Sequence, residues 1–180
     1  MSSQPEVWLR GPVSGVSPRL QPAAHALLQT VEDVEQAVDS LNADQLWTAP
    51  GGAASVGFHL LHLAGATDRL LTYARGETLN DAQRARLQAE RNPPRTDVQS
   101  LLADLRRAVE GALEQLRATP DQTLEEARAI GRAALPTTVL GLLFHTAEHA
   151  QRHAGQVVTT SKILRALGSI QATASANAPS

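Results

Sequence analysis

Apolar residues recur at three- and four-residue spacing in four stretches of the chain, and the breaks between those stretches are rich in proline and glycine. In the first stretch, about 20–42, Leu20, Ala24, Leu27, Leu28, Val31, Val34, Val38 and Leu41 draw one stripe along a helix. Pro22 falls in the first turn, where a missing N–H costs nothing. APGG at 49–52 ends this segment. The second helix, about 53–76, carries Leu60, Leu61, Leu63, Ala64, Leu70 and Leu71 on more than one face, the mark of a buried helix. RNPPR at 91–95 is the next break. Val98, Leu101, Leu102, Leu105, Val109, Ala112, Leu113 and Leu116 then give the cleanest amphipathic pattern, over about 97–117, with Thr96 and Gln99 at capping-box spacing. TPDQT closes it. The stretch 121–136 is ambiguous, EARAIG reading as a short strand or an irregular crossing. Pro136-Thr137-Thr138 opens a fourth helix over about 138–160, with a short extra turn over 161–167.

Four such helices around one core predict an all-α fold, a four-helix bundle over residues 19–167. The connections 77–96 and 118–136 are long for adjacent antiparallel helices and predict crossovers. Residues 1–18, with three prolines and two glycines, form an irregular N-terminal arm. The small, polar run 168–180 reads as a disordered tail. At 180 residues one domain is expected.

Composition supports the helical reading. Ala and Leu number 30 and 25, whereas Ile and Val together reach only 15. The net charge of −2 lacks the basic excess of a dedicated nucleic-acid binder. Fifteen of the 16 basic residues are arginine, a bias that reflects a GC-rich coding sequence rather than a patch. No apolar run approaches the ~18–20 residues that span a bilayer. The first residues carry no apolar signal region of ~7–15 residues. A soluble, cytoplasmic protein with no membrane partner is the expectation. Cysteine is absent, which removes disulfides, thiolate nucleophiles and thiolate metal ligands together.

Five of the six histidines lie in two clusters on predicted helices. His59 and His62 are three apart on the second helix. His145, His149 and His153 are each four apart on the fourth. Four residues advance a helix by ~400°, so neighbours in the second cluster lie ~40° apart on one face and can close on one ion. Gln156 lies seven residues past His149, nearly in line with it. A third ligand from a facing helix completes a bundle-core metal site. Three neutral imidazoles with an open position suit a catalytic Zn²⁺; Ni²⁺, Cu²⁺ or Co²⁺ also accept imidazole. The plainer alternative is that these histidines are hydrogen-bonded within the core. His25 reads as a structural or surface residue, Glu148 as solvated or salt-bridged, and Asp68 and Arg69 as a solvated helix-end pair. Trp8 and Trp47 read as packing anchors.

The segments GFHLLHLAGATDRLL and LLFHTAEHAQRHAGQVV together resemble the DinB-like (DinB/YfiT) metalloenzyme family over about residues 20–165. The more specific element is HxxxHxGQ, here His149, His153, Gly155 and Gln156. The resemblance implies a four-helix bundle with one metal-ligating histidine from the second helix and two from the fourth. Those positions fall on His62, His149 and His153, leaving His59 and His145 as flanking or alternative ligands. Gln156 would orient a ligand or a water molecule. Related bundles include S-transferases that use small thiols such as bacillithiol or mycothiol, and a mycothiol-dependent maleylpyruvate isomerase. The implied function is therefore metal-dependent transfer of a small thiol to an electrophilic small-molecule substrate, in detoxification or stress response, by a homodimer. A metal-dependent hydrolase and a non-enzymatic metal-binding stress protein are the rivals. Despite the family name, no feature of the DNA polymerase of similar name is present.

Overall fold

A computed structural model describes residues 4–176. Four long helices form the bundle: α1 (Gln21–Val38), α3 (Val56–Ala74), α5 (Val98–Ala118) and α6 (Val139–Ala176). Two shorter helices, α2 (Ala43–Trp47) and α4 (Asp81–Ala89), and an antiparallel hairpin of β1 (Ala127–Ile130) and β2 (Leu135–Thr138) occupy the connections. Around the bundle α1 packs on α6, α6 on α3, α3 on α5, and α5 returns to α1. Helices α1 and α3 face each other across one diagonal, and α5 and α6 across the other. The chain therefore crosses the bundle between α1 and α3 and between α5 and α6. The predicted crossover at 118–136 is present. The connection 77–96 instead joins packed neighbours, and its length is taken up by α4.

The apolar stripes meet where their spacing places them. Leu27, Val34, Leu60, Leu63, Leu105, Leu116, Leu142 and Val157 are all fully or almost fully buried in one core. Helix α3 is buried over most of its circumference, as its apolar residues on several faces require.

Local chemistry explains where the elements differ from the periodicity. Helix α1 ends at Val38. Asn42 then starts α2 with a capping box, its Oδ1 accepting from Gln45 N (2.8 Å) while Gln45 Oε1 accepts from Asn42 N (3.1 Å). Asn80 and Gln83 start α4 in the same way. Apolar periodicity cannot find either helix, because both are short and lie on the bundle rather than within it. The cap of α5 is Asp97, which accepts from Ser100 N (2.9 Å), not the Thr96–Gln99 pair. The ambiguous stretch 121–136 contains the hairpin, with Ala127 opposite Thr138 and Ile130 opposite Leu135. Gly131 supplies the positive φ (71°) that its turn needs. The hairpin also starts α6: Val139 N and Leu140 N donate to Glu126 O and Leu124 O, which satisfies two amides a helix N-terminus leaves free.

Helix α6 is one continuous element, Val139–Ala176, so the extra turn expected over 161–167 is part of it, and residues 168–176 continue the helix where a disordered tail was expected. Residues 177–180 lie outside the described residues. The N-terminal arm carries one short 3-10 helix, Val7–Arg10, and is docked on the bundle. Val7 and Val16 are buried, and Arg10 makes a two-pronged ion pair with Glu32 (2.6 and 2.7 Å). His25 Nε2 lies 3.0 Å from Gly11 O, the structural role expected for it. Trp47 is a packing anchor, its ring against Gly57 and its indole donating to Thr96 O (3.1 Å). Trp8 is not: it is 61% exposed, with its indole donating to Glu6. Among the described residues no helix is long and apolar enough to cross a membrane.

Candidate metal centre

Helices α3 and α6 pack against each other, and that contact brings the two histidine clusters face to face. One ring nitrogen each of His62, His149 and His153 lies within 4.8 Å of the other two. The ring centroids are 4.5–5.2 Å apart, and His62 Nε2 is 3.4 Å from His149 Nε2. These three imidazoles could hold one metal ion. The donor set fits a divalent cation that accepts imidazole, since it offers ring nitrogens and no thiolate.

On His62 and His153 a second ring nitrogen has a partner of its own. His62 Nδ1 is 2.7 Å from Glu90 Oε2, so the ring donates there and keeps its Nε2 lone pair free. Glu90 stands at the end of α4, and its other oxygen accepts from Arg69 Nη1 (2.6 Å). His153 Nδ1 is 2.9 Å from His59 Nδ1. When His153 is the donor of that bond, its Nε2 also carries a free lone pair. Such outward partners hold ligand rings in one tautomer and orientation. Phe58, one turn before His62, lies nearly parallel to its ring (5.6 Å between centroids, 9° between planes).

Burial and mutual repulsion disfavour a proton on His59, His149 and His153. Burial, then repulsion from His62 and His145, pushes His149 down to about 4. Burial, then repulsion from His149 and His62, pushes His153 down to about 3. Burial also lowers His59. All three are unprotonated at neutral pH, the state in which an imidazole can bind a metal. Burial raises Glu90, but the hydrogen bonds from His62 and Arg69 outweigh it and hold the carboxyl below its ordinary value.

The remaining candidates fall outside this triangle. His145 flanks His149 (5.6 Å between centroids) and pairs through Nδ1 with Glu148 (3.2 Å). Glu148 is also bonded to Arg152, so it is salt-bridged as its position suggests. Gln156 is exposed, and no hydrogen bond joins it to the histidines. Arg69 overturns the reading of a solvated pair. It is 8% exposed and bonded to Glu90, whereas Asp68 accepts from Gln83 (2.9 Å). The two neighbours point to different partners because consecutive helical residues lie ~100° apart.

Glu90, which stands behind His62, is the residue of this cluster that periodicity and motif spacing miss. It is 28 positions from His62 on another element. One local signal exists. Gly65 lies on α3 between His62 and Arg69, and a Cβ there would come within 2.8 Å of both Arg69 Nη1 and Glu90 Oε1. A glycine inside a buried helix marks a close approach of this kind.

Fold and site thus define a helical bundle that carries a half-buried three-histidine cluster able to hold a metal. The sequence model of the DinB superfamily matches residues 26–157, and the chain belongs to that superfamily. Among solved structures it is similar to YfiT from Bacillus subtilis, described as a probable metal-dependent hydrolase with an unusual four-helix bundle topology. The two share 17% identity over 86% of this chain and 93% of that one, with a TM-score of 0.62. At that identity the likeness speaks for the fold. No curated protein matches the chain significantly.

Proposed function

We propose that this chain is a divalent-metal-dependent enzyme that transfers a small thiol, such as bacillithiol or mycothiol, to an electrophilic compound. His62, His149 and His153 hold the cation, with zinc or nickel the best matches to three imidazoles. The observation that carries this reading is the convergence of their nitrogens within 4.8 Å, with His62 and His153 each braced from behind. A cation bound there with an open position would lower the pKa of a thiol or a water molecule entering that position.

The surrounding residues favour a thiol. Both oxygens of Glu90 are spent on His62 and Arg69, and Glu148 is spent on His145 and Arg152. Those hydrogen bonds hold both carboxyls below their ordinary values, which makes each a weak base toward a nucleophile. A thiol starts at pKa ~8.5 and needs only a small shift to ionise at pH 7, whereas bulk water starts at ~15.7. Glu90 holds the His62 ring, and His59 Nδ1 lies 2.9 Å from His153 Nδ1. The absence of cysteine from the chain is consistent with a thiol supplied from solution. Hydrolysis is the second reading, favoured by the bundle shared with YfiT.

Metal content is the first test, by elemental mass spectrometry on untagged protein purified without added metal. Near-stoichiometric zinc or nickel, lost in His149→Ala/His153→Ala, is expected. Protein that holds no metal and takes up none refutes the reading. A screen of electrophiles and esters with and without added thiol then separates the two chemistries. Turnover that requires the thiol supports transfer, and turnover without it supports hydrolysis.

A further inference from the structure

Beside His62 the surface opens into a cleft of about 680 Å³ between α3, the end of α4 and the hairpin turn. Its walls combine apolar and cationic groups. Phe58 and Leu87, a leucine left 41% exposed, supply apolar surface, and Arg91 and Arg132 supply charge. The one acidic residue in the lining is Glu90, whose oxygens are both occupied.

The two arginines stand apart from the rest. Among the described residues, Arg91, Arg95 and Arg132 are the only arginines without an ion pair or a side-chain hydrogen bond. Two of those three line the cleft that adjoins His62. They come from segments far apart in sequence, Arg91 just past α4 and Arg132 in the hairpin turn. A second cleft of about 460 Å³ shares Leu87, Gln88 and Arg132 with the first, so the trough continues past the hairpin toward Tyr73. Guanidinium groups with no protein partner, set beside exposed apolar surface, match a small amphiphilic anion.

We propose that the electrophilic substrate is a small organic anion, held by Arg91 and Arg132 through a carboxylate or phosphate group while its apolar part lies against Phe58 and Leu87. The claim that this is the reacting substrate rests on the metal-dependent reading above; the anion site itself stands on the cleft. The molecule's other end then reaches the His62 side of the cleft. This use of the hairpin gives it a role beyond starting α6.

Titration calorimetry with phenylacetate, phenyl phosphate and the neutral phenylacetamide tests the site, on both zinc-loaded and EDTA-treated protein. At least one anion is expected to bind more tightly than the amide, and the arm that does so identifies carboxylate or phosphate. Arg91→Gln/Arg132→Gln should weaken that anion tenfold or more in both forms of the protein. The amide, the zinc content and the melting temperature should stay unchanged, because both side chains are exposed and unpaired. Arg95→Gln, outside the cleft, should bind the anion like the parent. Anions no tighter than the amide, an unchanged double variant, or an equal loss in Arg95→Gln would each overturn the proposal. The metal-free titration reads the arginines alone, so failure of the metal reading and failure of the anion site are told apart.

Discussion

Glu90→Ala is the most informative single change, because one carboxylate serves both stability and the candidate metal centre. Glu90 and Arg69 are each 8% exposed, and Glu90 accepts at 2.6 Å from Arg69 and at 2.7 Å from His62. Removing it leaves the Arg69 guanidinium buried without its counter-charge, a change that costs about 3–5 kcal/mol. At roughly 2–4 °C per kcal/mol for a domain of this size, thermal unfolding should fall by about 6–20 °C. The His62 ring also loses the acceptor that fixes its orientation. Loss of such a partner weakens metal binding by about 10–100-fold. The two effects can be separated. In Glu90→Met/Arg69→Met both charges are gone, so most of the stability should return while zinc affinity stays low. Competition against a chromophoric chelator measures the zinc, and calorimetry of EDTA-treated protein measures the stability. A Glu90→Ala protein that binds zinc within twofold of the parent would refute the role assigned to Glu90. A double variant that regains zinc affinity with its stability would do the same.

His59→Ala should weaken zinc by about tenfold through loss of the ring partner behind His153, less than the loss from removing any of the three proposed ligands; equal losses in chelator competition would make His59 a ligand instead. Metal-free protein should lose stability as pH falls from about 6.5 toward 4. An unfolded chain protonates His149 and His153 near 6.5, while the folded one resists until about 4 and 3. Melting curves of His149→Ala/His153→Ala should fall less steeply over that window, and parallel curves would contradict the assigned shifts. Gly57→Ala should destabilise by about 1–3 kcal/mol despite the better helix former, because the new Cβ would lie 2.8 Å from the Trp47 ring. A raised melting temperature would show that Trp47 can move aside.

The four long helices were legible in the one-dimensional pattern because each buries a stripe set by its own period. The histidine pairs were legible for a related reason: three- and four-residue spacing puts side chains on one face whatever the fold does next. The absence of cysteine restricted any metal site to nitrogen and oxygen donors before a coordinate was known. Short capped elements were different. Asn42 and Asn80 begin helices of five and nine residues whose few buried contacts leave no periodic signal. The hairpin was legible only as one of two readings of EARAIG, since its four-residue strands mainly hold each other and the start of α6.

Only the tertiary structure could decide which residues stand behind the histidines. Glu90 reaches His62, Arg69 turns inward to meet it, and Arg132 arrives on the hairpin, all through contacts between segments distant in sequence. The face of each helix is written in its own residues and follows from local periodicity. Which faces meet, and which charges are buried together when they do, depends on how the chain crosses the bundle, and no local pattern records that.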